Sequence, residues 1–177
     1  MQAWIASKFV AFAGVAAAVL ALDQLGKRHA ASVVEVGEHV PILGSWLAWT
    51  HVPTAGGALG LLRDWSPRAE LMAYAGIAAV ATVVVAVFLR SLAPRDLGTG
   101  AALGAVFAGI ASNTFDRYRF GSTLEFLHVG PPASSLLPDF NLADLAILLG
   151  VGTLIIELLA TEMAARAGER PRRSPPY

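Results

Sequence analysis

The sequence predicts an all-α membrane protein with four transmembrane helices and a small extracytoplasmic β-rich subdomain. Three observations predict it. Hydrophobic residues make up 55% of the 177 residues and charged residues only 15%, whereas a water-soluble domain carries about a quarter charged residues. Mean hydropathy is +0.59. The apolar residues are gathered into four stretches separated by polar segments, and about 20 mainly apolar residues let a helix cross a bilayer.

The first stretch runs from Trp4 to Leu22, with Lys8 near its start. A cleavable leader is the alternative reading of such a segment. The polar cluster Asp23-Gln24-Leu25-Gly26-Lys27 follows at once, and charges set against the end of a span are more often retained for a task. The second stretch runs from Leu71 to Leu89 and the fourth from Leu142 to Leu159. The third, Leu97 to Ala111, is short and rich in Gly and Ala, a composition suited to close packing inside a bundle.

Four spans place both termini on one side. Lys8, Arg90, Arg95 and Arg166 mark that side as cytoplasmic by the positive-inside rule. The loops of about 23–70 and 112–141 then lie outside, within a membrane domain of residues 1–165, and a disordered cytoplasmic tail is expected over 166–177. In the long loop, alternating apolar residues from Val40 to Val52 predict one or two short strands. Trp46, Trp49 and Trp65 suit a membrane interface. A short surface helix is expected over Arg63–Glu70, with Pro67 in its first turn.

Zero net charge gives no sign of a nucleic-acid partner. The absence of cysteine excludes disulfides, thiolate metal sites and a cysteine nucleophile. His29, His39, His51 and His128 show no metal-ligand spacing, so no metal or cofactor is expected. Ser134-Ser135 lacks the setting of a nucleophilic serine, and Gly98-Thr99-Gly100 is not a phosphate loop.

With this topology Asp23, Asp116 and Asp144 all fall near the outer face, each beside an apolar helix. Asp23 has Lys27 nearby and Asp116 has Arg117; Asp144 has no neighbouring cation in sequence. A carboxylate so placed needs a distant partner or a proton. Two carboxyls sharing one proton satisfy that need, because like charges in contact cannot both ionise. The ionised member can activate water while the protonated one polarises a carbonyl. The structural alternative is that Asp144 caps the fourth span and Asp116 pairs with Arg117.

The motifs, read together, resemble those of the lipoprotein signal peptidase family. Asp23-Gln24-Leu25-Gly26-Lys27 is similar to its D-x-x-x-K element. Ser112-Asn113-Thr114-Phe115-Asp116-Arg117 with Gly121 is similar to its G-N-x-x-D-R-x-x-x-G element, and Phe140-Asn141-Leu142-Ala143-Asp144 to its F-N-x-A-D element. Ala55-Gly56-Gly57-Ala58-Leu59-Gly60 looks like its glycine-rich loop. The resemblance covers positions 8 to 160 in order. It implies a membrane aspartic endopeptidase, acting as a monomer in the bacterial inner membrane among its lipids. Such an enzyme removes signal peptides from diacylglyceryl-modified prolipoproteins by cutting before the lipidated cysteine.

Carried over by motif, Asp116 and Asp144 are the expected catalytic pair. Asn113 and Asn141 would orient it, Arg117 would hold the loop or the substrate, and Asp23 and Lys27 would shape the rim. Gly56 would admit a close backbone approach. Three positions depart from the family pattern: Thr54 and Glu125 stand where it has Asn and Asp, and Ser112 where it has Gly. These departures leave open a relative that binds lipidated or signal segments without cutting. A transporter using intramembrane carboxylates would place them mid-span rather than at span ends.

Overall fold

The computed structural model describes residues 6–55, 64–131 and 137–168. Four helices and three strands follow in the order α1 (Ala6–Val33), β1 (His39–Leu43), β2 (Leu47–Thr54), α2 (Pro67–Ser91), α3 (Leu97–Phe120), β3 (Thr123–Val129) and α4 (Leu142–Gly168).

Each helix has a local reason for its bounds. Helix α1 does not stop at Leu22 as expected but runs on to Val33. Asp23 and Lys27 stand one turn apart and form an i,i+4 ion pair of 2.6 Å, so residues that read as loop charges stabilise the helix instead. Ser66 caps α2 by accepting from Ala69 N, with Pro67 in the first turn. No separate surface helix precedes it among the described residues: 64–66 are turn, and Glu70 belongs to α2. At the other end of α2, Lys8 is buried and donates to the carbonyls of Arg90 and Leu92. A cation there complements the negative helix end, which gives Lys8 a packing role. Helix α3 passes Ala111 and ends at Gly121, whose φ of 77° closes the turn onto Arg117 O. Asp116 therefore lies inside this helix rather than after it. Helix α4 runs to Gly168, beyond the expected start of the tail at 166; residues 169–177 lie outside the described chain.

Among the described residues, three helices are long and apolar enough to cross a membrane: Ser7–Val33, Pro67–Ser91 and Leu142–Ala167, with mean hydropathies of 1.8, 2.4 and 2.2. Val80, Val83, Val84 and Val87 of α2 and Leu148, Ile155, Ile156 and Leu159 of α4 are exposed. So broad an apolar surface suits lipid, not water. Helix α3 is less apolar because it occupies the centre, packed on α1, α2 and α4. Its buried residues include five small ones, Gly100, Ala102, Gly104, Ala108 and Gly109. A Cβ at Gly104 would meet the Phe12 carbonyl of α1, and one at Gly109 the Ala143 carbonyl of α4. The helices touch backbone to backbone at these points.

The strands form one antiparallel sheet in the order β1-β2-β3. The hairpin β1–β2 answers the expected pair of strands. Strand β3, from the second loop, adds to β2 with Ala48 opposite His128 and Thr54 opposite Thr123. It was not expected, because its alternation is inverted: Thr123, Glu125 and His128 are buried while Leu124, Leu127 and Val129 are less so. Phe126, fully buried and stacked on Trp49, seats the sheet against α1 where Gly26 leaves room, 2.6 Å from the position a Cβ would take.

Candidate active site

Polar side chains from the four helices and β3 meet where the sheet sits on the bundle. From α1, Asp23 is wholly buried and joins three helices. Its Oδ1 accepts from Ala143 N at the start of α4 (2.9 Å), and its Oδ2 accepts from Ser112 Oγ of α3 (2.7 Å) and meets Lys27 Nζ. Ser112, a departure from the family's Gly, thus has a defined partner. Lys27 Nζ also lies 2.5 Å from Asp116 Oδ2 and donates to Asn113 Oδ1 at 3.1 Å. Gln24 Nε2 donates to Asp116 Oδ1 at 2.8 Å. Asp116 is therefore held by Lys27 and Gln24 rather than by Arg117.

Arg117 turns the other way. Its Nη1 pairs with Glu70 Oε1 of α2 at 2.9 Å, its guanidinium carbon lies 3.8 Å from the centre of the Tyr74 ring, and its Nη2 donates to Thr123 Oγ1 at 3.0 Å. It fastens α2 and β3 to α3. Thr123 Oγ1 stands 3.1 Å from Glu125 Oε1.

Asp144 caps its own helix. Asn141 Oδ1 accepts from Asp144 N at 2.9 Å, and Asp144 Oδ2 accepts from Asn141 N at 3.3 Å, a reciprocal pair of the capping-box kind. The other oxygen, Oδ1, accepts from Asn113 Nδ2 at 2.7 Å. Asn141 Nδ2 donates to Glu125 Oε2 at 2.7 Å and to Asn113 Oδ1 at 3.2 Å. The carboxyl group that lies against Asp144 is that of Glu125. Burial, followed by the charge and the hydrogen-bonding contact of Asp144, pushes the Glu125 carboxyl up to about 8.

A cleft of about 500 Å³ opens onto this pair, lined by Thr54, Arg117, Thr123, Glu125 and Asp144 on one side and Phe140, Leu145 and Leu148 on the other. Asp116 does not line it. A second hollow of about 560 Å³, between α2 and α3, has an almost wholly apolar lining and no carboxyl group, so it offers nothing for acid–base chemistry. Of the expected site residues, the structure brings Asp23, Lys27, Asn113, Asp116, Arg117, Glu125, Asn141 and Asp144 into one connected set and places Thr54 at the cleft. Gly56 lies outside the described residues. Gln24, Glu70, Tyr74 and Thr123 were not singled out from sequence. Only Glu70, an acid one turn before Tyr74 at the head of an apolar helix, carried a signal that could have been used.

Apolar helices around a buried polar seam, with neighbouring carboxyls aimed into a cleft, define a membrane-embedded protein equipped for acid–base chemistry. The chain belongs to the signal peptidase II family: the family model described as Signal peptidase (SPase) II matches residues 15–160. A lipoprotein signal peptidase of Moorella thermoacetica is 32% identical over 154 residues, covering 87% of this chain and 93% of the relative. One from Geobacter sulfurreducens is 31% identical, covering 85% and 92%. A solved bacterial membrane enzyme superposes with a TM-score of 0.74 at 22% identity, over 94% of both chains, a likeness of fold.

Proposed function

We propose that this protein is an aspartic-type signal peptidase II that removes signal peptides from diacylglyceryl-modified prolipoproteins, with Glu125 and Asp144 as the pair that performs the cleavage. The observation that carries the reading is their contact inside the cleft. We favour it over the expected pairing of Asp116 with Asp144 on two observations: Asp116 is ion-paired with Lys27, and it does not line the cleft.

The geometry places two acids where hydrolysis needs them. Asp144, which accepts from Asn113 Nδ2 and from Asn141 N, is positioned to take a proton from water. Glu125, neutral at physiological pH, donates to the scissile carbonyl oxygen. Water oxygen bonds to the carbonyl carbon, and the tetrahedral intermediate breaks its C–N bond. The leaving amine takes up the proton Asp144 received, and the intermediate returns its proton to Glu125 as the carbonyl re-forms. No step calls for a metal or cofactor. Leu145 and Leu148 continue the cleft wall onto the exposed face of α4. The lipid part of the substrate can thus stay among acyl chains while the peptide reaches the acids, and the cut falls before the lipidated cysteine.

We further infer four spans within a domain of residues 1–165. Helix α3, at 24 residues, reaches about 36 Å at 1.5 Å per residue, and its small residues suit the centre of a bundle. The sheet and cleft face outward from the inner membrane with both termini cytoplasmic, and the protein works as a monomer among membrane lipids. The test is conversion of a purified diacylated precursor, read by gel shift. Wild-type protein should cleave it and Glu125→Gln should not. Failure of the wild type across several lipid compositions would favour a binding role without cleavage.

A further inference from the structure

Three residues outside the peptidase machinery converge at the far end of the sheet: His39 of β1, His128 of β3 and Asp139 before α4. One potential ligand atom from each lies within 4.8 Å of the others. The two imidazoles stand edge to face, 4.3 Å between centroids. His128 Nδ1 is 2.7 Å from Asp139 Oδ1. The His128 side chain is only 4% exposed, and Nδ1 is the ring nitrogen it turns towards Asp139.

We propose that His39, His128 and Asp139 form a binding site for a borderline divalent transition metal, with zinc the favoured ion. Two imidazoles and a carboxylate are a donor set that zinc takes, leaving a fourth position for water. Ligand atoms around a tetrahedral zinc lie about 3.4 Å apart, so modest side-chain rotations close the set. His128 is fixed by its strand and its burial, while His39 and Asp139 are half-buried. The ion would tie the outer strand of the hairpin to the segment leading into α4. Asp139 lines the peptidase cleft two residues before Asn141, so the bound metal would also brace that wall.

The proposal does not depend on which carboxyl pair cleaves. The experiment uses the full chain in detergent without a polyhistidine tag, dialysed against micromolar Zn2+ or Co2+. One equivalent of zinc should remain bound, Co2+ should give the visible bands of a tetrahedral site, and zinc should raise Tm by mass action. His39→Gln and Asp139→Asn, both at half-buried positions, should bind at least about tenfold more weakly and lose the zinc-dependent rise in Tm. Binding should fade as pH falls through the histidine range, since the ligands must be neutral. Glu125→Gln should bind as wild type does. The proposal is overturned if wild type retains no metal, if the His39 and Asp139 variants retain as much as wild type, or if Glu125→Gln alone loses it.

Discussion

Asp116 Oδ2 lies 2.5 Å from Lys27 Nζ, with both side chains buried. A buried charge that loses its partner costs about 3–5 kcal/mol, and Lys27 also neutralises Asp23. Asp116→Asn should therefore lower thermal stability markedly, while the fraction that remains folded still cleaves. Lys27→Met should be at least as damaging, since it strands two carboxylates. Loss of cleavage in Asp116→Asn at unchanged Tm would return Asp116 to a catalytic role.

Glu125 and Asp144 should behave as one unit. Glu125→Gln and Asp144→Asn should each reduce turnover by about 10²- to 10⁴-fold, the range for a positioned acid or base. The double variant should be scarcely worse than either single one. Glu125→Asp installs the residue that the family pattern carries there and should retain cleavage within about tenfold. Gel-shift conversion of a diacylated precursor at matched expression measures all four.

The raised Glu125 pKa has two consequences for pH. Cleavage should fall on the alkaline side, as the acid loses its proton through a pKa of about 8. Stability should follow the same group. The folded state keeps a proton that the unfolded chain releases near 4.5, so the favourable contribution is complete below that value and is lost as pH rises towards 8. Glu125→Gln should flatten the decline of Tm across that window, and an unchanged slope would mean that Glu125 is ionised in the folded protein.

Gly104 and Gly109 set how closely α3 approaches its neighbours. Gly104→Ala would press a methyl onto the Phe12 carbonyl and Gly109→Ala one onto the Ala143 carbonyl and the Ile147 side chain. Overpacking of this kind costs about 1–3 kcal/mol. Gly109→Ala should also depress cleavage, because Ala143 N holds Asp23 and Asp144 follows at once. Gly14→Ala, where a Cβ meets nothing within 4 Å, should leave both stability and cleavage intact.

The helical spans were legible because lipid selects for long apolar runs, and Leu71–Leu89 and Leu142–Leu159 lie inside α2 and α4. Helix ends were less legible. Asp23 and Lys27 look like loop residues until they are seen one turn apart, where each satisfies the other inside the bundle. Helix α3 looked short because its buried end carries Ser112, Asn113 and Asp116, polar residues whose partners sit on other helices.

The site was legible as a set of residues and much less so as a set of contacts. The sequence put Asp23, Asp116 and Asp144 near one end of the spans, the motifs added Asn113 and Asn141, and Lys27 and the hydrogen bonds of Asn113 and Asn141 connect them. Which carboxyl meets Asp144 depends on β3 pairing with β2, a long-range register that no local pattern encodes. The inverted alternation of β3, with Thr123, Glu125 and His128 turned inward, hid the strand itself. His39 and His128 show no ligand spacing in sequence for the same reason: they meet only across the sheet.

Glu125 rides on a strand that hydrogen-bonds to β2, while Asp144 is anchored in the first turn of α4. Neither element alone holds the proposed pair, and β3 and α4 follow the first three helices in the chain. If this pair cleaves, a chain that has emerged only as far as the first three helices is inert. On the proposed pair, hydrolytic power waits until β3, seated on α1 through Phe126, brings Glu125 beside the first turn of α4.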